Sequence, residues 1–254
     1  MPQLDKSPER VRTMFGQIAP KYDFLNNWLS FGLARRWRRF LVAQVFKRLF
    51  KHWDVSNRID TLDVATGTGD VIVEFRRRWN KRFKNKLGAS TSSVGVDFAP
   101  EMLELAKKKI RKKNLTDVEF VEADGTNLPF PSERFDAVTI AFGLRNMVDP
   151  KQGVSELVRV CRPGGVVAIL EFSPTKFPIF GPIFRFYFHK ILPLIGRCVS
   201  KHKDAYRYLP QSVDDFESVD TILNYLREFG IEDARRYSLT LGVLGLFIGR
   251  KREV

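Results

Sequence analysis

The sequence is poor in the residues that build cross-linked or metal-bound proteins. It has two cysteines, Cys161 and Cys198, and three scattered histidines in 254 residues. Two separated cysteines form neither a disulfide framework nor a Cys-x-x-Cys pair, which fits a reducing cytosol. Because no group of metal-ligating side chains has a recognisable spacing, we predict no metal site.

Long uninterrupted apolar segments are also missing. The polar stretch from Met1 to Arg10 lacks the apolar centre of a secretion signal, so we expect none. The most apolar segment, Phe177 to Val199, contains basic residues and three prolines. A membrane-spanning helix needs about 20 predominantly apolar residues, so this segment is not expected to be one.

Acidic residues are fewer than basic ones, 29 against 43, which gives a formal net charge of +14. The excess lies in runs such as Arg35–Arg39 and Arg76–Arg78. Solvated helix faces are the first interpretation of these runs. Attraction to an anionic membrane is the second, because each basic residue near such a surface contributes about 1 kcal/mol. Binding of nucleic acid is the third.

Residues 61–70 carry the strongest functional signal. An apolar run that contains Asp63 ends in Gly67-Thr68-Gly69, and a helical pattern follows. Such a strand–loop–helix corner lets backbone N–H groups approach a nucleotide-like ligand, and a Cβ at either glycine would hold the ligand away. A plain tight turn between a strand and a helix is the alternative interpretation.

Two further strand patterns end in acids, Asp97 and then Asp124-Gly125. A carboxylate at the tip of the second strand can accept hydrogen bonds from both ribose hydroxyls, each worth roughly 1.5–3 kcal/mol. The corner at Asp124 would face an adenine amino group. The polar stretch Asn80–Ser92 is expected to be a loop insertion between the glycines and Asp97. For each acid alone, a helix cap or turn is the alternative.

The corner distinguishes between two cofactor classes. A dinucleotide motif needs a third glycine where this chain has Ile72. S-adenosylmethionine has no phosphate and needs contacts only to ribose, adenine and methionine. The glycines together with Asp97 and Asp124 therefore favour a methyltransferase, with Asp63 as a further acceptor near the cofactor.

Between about Val11 and Lys251 the chain contains these motif blocks: Tyr22–Ser30, Leu62–Asp70, Gly95–Phe98, Ala123–Asp124, Phe142–Asn146, Arg159–Gly165 running to Glu171–Ser173, and Asp204–Leu209. The blocks resemble the ubiquinone/menaquinone biosynthesis C-methyltransferase family. Phe142–Asn146 is the block specific to that family. The chain departs from the family at Ala34 and Phe247, where histidines are usual, and at Ala141, where a serine hydroxyl contact to the cofactor is lost.

The resemblance implies an S-adenosylmethionine-dependent enzyme that methylates a ring carbon of a prenylated quinol, with demethylmenaquinol favoured over a benzoquinol. It also implies a class I methyltransferase fold, a doubly wound, Rossmann-like α/β sheet of seven mostly parallel strands in the order 3-2-1-4-5-7-6. We expect one domain, residues 1–254. Within it we expect an N-terminal helical lid at 1–53, a cofactor-binding core at 54–176, and a substrate-side cap with an edge hairpin at 177–254.

Two apolar segments of that domain have open interpretations. Apolar residues between Phe40 and Trp53 recur at helical spacing, which predicts a face that packs on the sheet or covers the pocket. A helix lying on a membrane surface is the alternative. Phe177 to Val199 is expected to form an apolar wall for a prenyl tail, with an ordinary buried helix as the alternative.

The family blocks also supply the candidate site residues. Arg145 would stabilise the developing phenolate directly or through a water, and an ion pair with Asp23 or Asp204 that pins the lid is the alternative. The candidate catalytic residues are Arg145, Asn146, Asp23 and Tyr22. The candidate cofactor-binding residues are Asp63, Gly67, Thr68, Gly69, Asp97, Asp124, Gly125 and Ala141. The candidate substrate-binding residues are Asn26, Asp204 and Tyr206.

A nucleic-acid methyltransferase and a non-catalytic scaffold of a membrane-associated lipid-synthesis complex are the alternative functions. Methylation of amino groups usually needs an Asn/Asp-Pro-Pro-aromatic loop where this chain has Phe142–Asn146, and neither cysteine is placed for methylation at a pyrimidine carbon. A scaffold would tolerate loss of the glycine corner, which is intact. We therefore expect a quinol substrate, no nucleic-acid partner, and a cytoplasmic protein peripheral to the anionic inner face of the cytoplasmic membrane. A homodimer remains open.

Overall fold

The computed structural model describes residues 5–50, 58–83, 89–173, 186–187 and 203–253, which contain one mixed sheet flanked by helices. The helices are α1 (Pro8–Leu29), α2 (Leu33–Leu49), α3 (Asp70–Phe83), α4 (Pro100–Lys112), α5 (Pro150–Val160), α6 (Lys203–Asp214) and α7 (Val219–Glu228). The strands are β1 (Ile59–Val64), β2 (Thr91–Asp97), β3 (Val118–Glu122), β4 (Phe135–Ala141), β5 (Cys161–Phe172), β6 (Ile231–Leu239) and β7 (Leu244–Lys251).

The seven strands lie in the order β3-β2-β1-β4-β5-β7-β6, which confirms the expected order. Strands β1 to β5 are parallel to their neighbours in that group, and β7 is antiparallel to both β5 and β6. The expected hairpin is therefore present, with β6 at the edge. The strand order reverses direction between β1 and β4, and ligands of such sheets bind outside the carboxyl ends at this switch point.

The central strands β1, β4, β5 and β7 are buried on both faces of the sheet. Helices α5 and α7 cover one face, and α2 and α3 cover the other. The apolar side of α2 contributes Leu41, Val45 and Phe46 to the second face, and the Phe46 ring lies 4.7 Å from that of Phe75, measured between centroids. The apolar face of this helix therefore packs on the sheet, as expected, and the alternative that it lies on a membrane surface is wrong.

Two local predictions needed correction. The expected loop at Asn80–Ser92 is shorter, because α3 continues to Phe83 and β2 begins at Thr91. In this last part of α3 the rings of Trp79 and Phe83 pack together, with centroids 4.5 Å apart, in the cluster beneath α2. The turn residues Pro163-Gly164-Gly165 predict a strand that begins after them, at Val166, but β5 begins at Cys161 and contains them.

Some expectations can be compared with the structure only within the described ranges. The segment Phe177–Val199 lies outside them except for Phe186 and Tyr187, so its expected role as an apolar wall stays a prediction. Within the described ranges, no helix combines the length and hydrophobicity needed to cross a bilayer. The same ranges hold no group of three metal-ligating side chains.

Candidate active site

A cavity of about 460 Å³ opens at the carboxyl ends of β1, β2 and β3. This volume lies within the range of about 300–1,000 Å³ that is usual for small-molecule sites. Of the candidate residues, Asp97, Asp124, Gly125 and Asn146 line it. The start of α1 forms the opposing wall. The structure therefore brings both predicted strand-tip acids, and one predicted catalytic residue, to a single cavity.

Asp97 holds the glycine corner in place. Its carboxylate accepts hydrogen bonds from the backbone N–H groups of Gly67 (2.8 Å) and Ala99 (3.0 Å). Gly67 and Gly69 have φ values of 55° and 80°, so the corner needs residues that adopt the left-handed region. Each carboxylate oxygen of Asp97 keeps a second lone pair with which it can accept a ribose hydroxyl.

Burial also raises the pKa of Asp97 to about 6, against the lowering effect of the N–H groups that it accepts. A carboxylate that is costly to ionise in the free protein becomes less so when hydroxyl groups donate to it. Hydroxyl groups of a bound ligand that donate to Asp97 would therefore stabilise its ionised form.

Asp63 does not line the cavity. It is buried, and its carboxylate accepts hydrogen bonds from the hydroxyls of Thr66 (2.7 Å) and Thr139 (2.6 Å). These bonds join the corner to β4, and burial raises the pKa of Asp63 to about 7. This geometry supports the corner from below, whereas the predicted direct contact with the cofactor stays a prediction.

The raised pKa of Asp63 gives the stability of the fold a pH dependence. The unfolded chain loses this proton near pH 3.8 and the folded chain near pH 7, so the folded state binds more protons between these values and is destabilised as the pH rises. Asp63→Asn has no such carboxyl group to titrate. The free energy of unfolding of the variant minus that of the wild type should therefore rise by about 2–4 kcal/mol as the pH increases from 4.5 to 8. Urea denaturation across this pH range measures the difference.

The matched control is Asp233→Asn, because the Asp233 side chain is 71% exposed on β6. This variant removes an exposed carboxylate and leaves Asp63 in place, so it should not reproduce the pH dependence of the Asp63→Asn difference. An Asp63→Asn difference that does not change with pH would contradict the assignment of the titration to Asp63.

A charged network joins α1 to the corner. The Thr68 hydroxyl donates to Asp23 (2.6 Å), and the Lys109 ammonium contacts Asp23 (2.6 Å) and Asp70 (2.7 Å). At the other end of α1, Arg12 pairs with a carboxylate of β3, Glu122, at 2.8 Å. Helix α1 is thus tied to both sides of the cofactor corner. Thr68 and Asp23, predicted for the cofactor and for catalysis, contact each other in this network.

Arg145 lies in the 3-10 turn Leu144–Asn146 that follows β4. Its guanidinium pairs with Glu171 at 2.7 Å, donates to the carbonyl of Phe142, and lies over the Phe172 ring. The Glu171 side chain is fully buried. The ion pair that was the alternative interpretation is therefore made with Glu171, not with Asp23. Whether Arg145 also contacts substrate stays a prediction.

Glu171 belongs to one of the family blocks but was not among the candidate site residues. It lies in the apolar run of β5, between Leu170 and Phe172, where a lone carboxylate needs a buried partner. That pattern was the available signal. The backbone N–H of Arg145 also points to Glu171, at 3.3 Å, so this carboxylate holds both the side chain and the turn.

The remaining candidate residues are Gly125, Ala141 and four residues whose side chains the structure does not describe. A Cβ on Gly125 would lie 2.4 Å from the terminal methyl of Met147 and 3.0 Å from Val64, so a larger residue there would require the Met147 side chain to move. Ala141 ends β4 and packs in the cluster beneath α2 without lining the cavity. The side chains of four candidates lie outside the described part of the chain: Tyr22, Asn26, Asp204 and Tyr206.

The residues present fit S-adenosylmethionine. The corner is a glycine turn without the third glycine of a dinucleotide site, and the buried Asp97 carboxylate keeps free lone pairs beside the cavity. Asp124 and Gly125 line the wall formed after β3, where the adenine is expected. Fold and site together define a class I S-adenosylmethionine-dependent methyltransferase.

The family follows from comparison with known proteins. The model of the ubiE/COQ5 methyltransferase family matches residues 3–251, and the chain belongs to this family. It is 42% identical over 250 residues to the ubiquinone/menaquinone biosynthesis C-methyltransferase UbiE of Geotalea daltonii, covering 98% of this chain and 99% of that protein. It is 41% identical over 244 residues to the demethylmenaquinone methyltransferase of Deinococcus radiodurans, covering 96% and 93%.

Solved structures agree on the fold. An S-adenosylmethionine-dependent methyltransferase from Aquifex aeolicus matches with a TM-score of 0.53 at 17% identity, over 82% of this chain and 88% of that one. The CurJ carbon methyltransferase matches with a TM-score of 0.62 at 14% identity, over 85% and 54%. The predicted family, fold class, enzyme class and cofactor are thereby confirmed.

Proposed function

We propose that this chain methylates a ring carbon of a prenylated quinol, with demethylmenaquinol as the preferred substrate. The relatives named as UbiE and as demethylmenaquinone methyltransferases support this substrate class. The observation that carries the proposal is the position of Asn146. This residue of the family-specific block lines the same cavity as Asp97, so substrate-side and cofactor-side residues share one space.

The chain's own residues account for activation of such a substrate. Bound S-adenosylmethionine supplies an electrophilic methyl group. A ring carbon of a quinol becomes a strong nucleophile when a neighbouring hydroxyl loses its proton, and phenols have a pKa of about 10. The guanidinium of Arg145, held by Glu171, would favour the phenolate, and Asn146 would orient the hydroxyl that ionises. Holding the nucleophile in line with the methyl group contributes the rest.

The direct test supplies the purified protein with S-adenosylmethionine and a short-chain demethylmenaquinol kept reduced. Mass spectrometry should show one added methyl group on the ring, and less product from the matching benzoquinol. Methylation of RNA with no methylation of either quinol would contradict the proposal and favour the nucleic-acid alternative. Binding of quinol without methylation would favour the scaffold.

We propose in addition that the protein acts at an anionic membrane surface. Trp28 and Phe31, around the turn from α1 to α2, are 51% and 81% exposed, and Phe186 is 62% exposed. The exposed Arg35 and Arg36 begin α2 directly after this turn. Exposed aromatic rings beside arginines are typical of membrane interfaces, where rings sit among headgroups and cations meet anionic lipid.

The turn lies at the sheet edge that carries the site. Trp37, on the first turns of α2, packs on Phe142 after β4 and on Phe172 at the end of β5, with ring centroids 6.1 and 6.4 Å away. Phe142 is adjacent to the cavity-lining Gly143. A membrane bound at the turn would therefore lie at the side from which a lipid substrate approaches.

Vesicle binding tests this surface. The wild type should bind phosphatidylglycerol vesicles at low salt and lose binding to phosphatidylcholine vesicles. The double variant Arg35→Glu/Arg36→Glu should bind anionic vesicles at least about tenfold more weakly, because each basic residue contributes about 1 kcal/mol. Arg111→Glu/Lys112→Glu, on the exposed end of α4, makes the same charge change elsewhere. Equal weakening by both double variants would show that net charge alone, and not this surface, attracts the membrane.

A further inference from the structure

Three buried polar atoms near the turn after β4 lack hydrogen-bond partners among the described residues. They are Arg145 Nε, Asn146 Oδ1 and Tyr208 Oη. Buried polar atoms in folded proteins are nearly always paired, and an unpaired one costs free energy. Three such atoms in one region indicate a ligand that would form hydrogen bonds with them.

The three atoms belong to one neighbourhood. Arg145 and Asn146 are successive residues of the turn, and helix α6, which carries Tyr208, packs against that turn. The charges of Arg145 and Glu171 both act on the Tyr208 phenol. Asn146 lines the cavity, so the neighbourhood adjoins the cofactor space.

The polarity of the three atoms defines the missing ligand. The Asn146 amide nitrogen donates to the Phe142 carbonyl at 3.3 Å, which leaves its oxygen as an acceptor without a donor. The Nε–H of Arg145 can only donate. Burial raises the pKa of Tyr208, so its hydroxyl stays protonated and can donate. The ligand must therefore carry oxygen that both donates and accepts, as a ring hydroxyl does.

We propose that Tyr208 is a further substrate-binding residue, whose hydroxyl donates to a ring oxygen of the quinol bound between α6 and the turn after β4. Asn146 accepts from the hydroxyl of the same substrate, and Arg145 Nε donates. This inference rests on the proposed quinol methylation and deepens it, since it names a group on α6 that recognises the ring. The Tyr208 side chain is 3% exposed, so without such a partner its hydroxyl weakens the fold.

Tyr208→Phe separates binding from structure because the two roles change different measurements. A hydroxyl that bonds substrate is unsatisfied in the free protein, so its removal should leave the unfolding temperature unchanged or raise it. The dissociation constant of a short-chain quinol, from fluorescence titration, should rise at least about tenfold, and kcat/KM should fall by a similar factor. The affinity for S-adenosylmethionine, from calorimetry, should stay unchanged.

Tyr225→Phe is the matched control, because Tyr225 lies on α7, does not line the cavity, and donates its hydroxyl to Glu217 at 3.3 Å. This variant should change neither quinol binding nor kcat/KM. A Tyr208→Phe variant that binds quinol as the wild type does, or that loses binding only in step with stability, overturns the role of Tyr208. If the wild type itself neither binds nor methylates quinol, the proposed function fails instead.

Discussion

Replacing Asp97 with asparagine should weaken the binding of S-adenosylmethionine by about a hundredfold or more. A hydrogen bond to a charged acceptor contributes about 1.5–3 kcal/mol, and two ribose hydroxyls are available to the carboxylate. The amide also places an NH2 group against one of the two N–H donors, from Gly67 or Ala99, that the carboxylate now accepts. The corner would then lose one of its two anchors. Isothermal titration calorimetry with S-adenosylmethionine measures the loss, and Asp233→Asn on β6 is the control.

The same carboxylate should make cofactor affinity depend on pH. Asp97 has a pKa of about 6 in the free protein, and only the ionised form accepts at both oxygens. Affinity should therefore rise as the pH increases from 5 to 7 and level off above that. Asp97→Asn should bind weakly at every pH. Wild-type affinity that stays flat from pH 5 to 8 would show that Asp97 does not control binding.

The cofactor side of the site could be predicted from the sequence because its residues lie at the ends of strands or directly after them. Asp97 and Asp124 each come immediately after, or at the end of, a short apolar run, and the carboxyl ends of parallel strands meet at one edge. Asp63 lies inside a strand, where the groups that its carboxylate contacts depend on which strand lies beside it. In the structure Asp63 pairs with Thr139 of β4 in register, so its carboxylate meets a hydroxyl there and not the cavity.

The contacts that could not be predicted join residues far apart in the chain. Thr68 and Asp23 are 45 residues apart, and Arg145 and Glu171 are 26 apart. Each pair depends on the packing of a helix or turn against the strand tips, which periodicity does not specify. A buried glutamate within an apolar strand predicts a cationic partner, but the sequence contains many arginines and does not indicate which one pairs with it. Only the parallel pairing of β4 with β5 selects Arg145.

Breaking the Arg145–Glu171 pair should have the largest effect on stability. Both side chains are nearly or fully buried, and removing one member of a buried ion pair costs about 3–5 kcal/mol because the other charge stays unpaired. Arg145→Met should therefore lower the free energy of unfolding by about this amount. Lost activity in that variant alone would not separate a structural role of the guanidinium from a chemical one.

The double variant Arg145→Met/Glu171→Leu makes that separation. Replacing a buried pair by apolar residues of similar volume is often neutral, so the double variant should recover most of the stability that Arg145→Met loses. Its kcat for the reduced quinol should stay at least about a hundredfold below that of the wild type, since positioned electrostatic groups at a developing charge are worth that much. A double variant with recovered stability and wild-type kcat would leave Arg145 as a structural partner of Glu171, and the phenolate would then need another cation. Denaturation curves and steady-state kinetics on the same preparations decide between these outcomes.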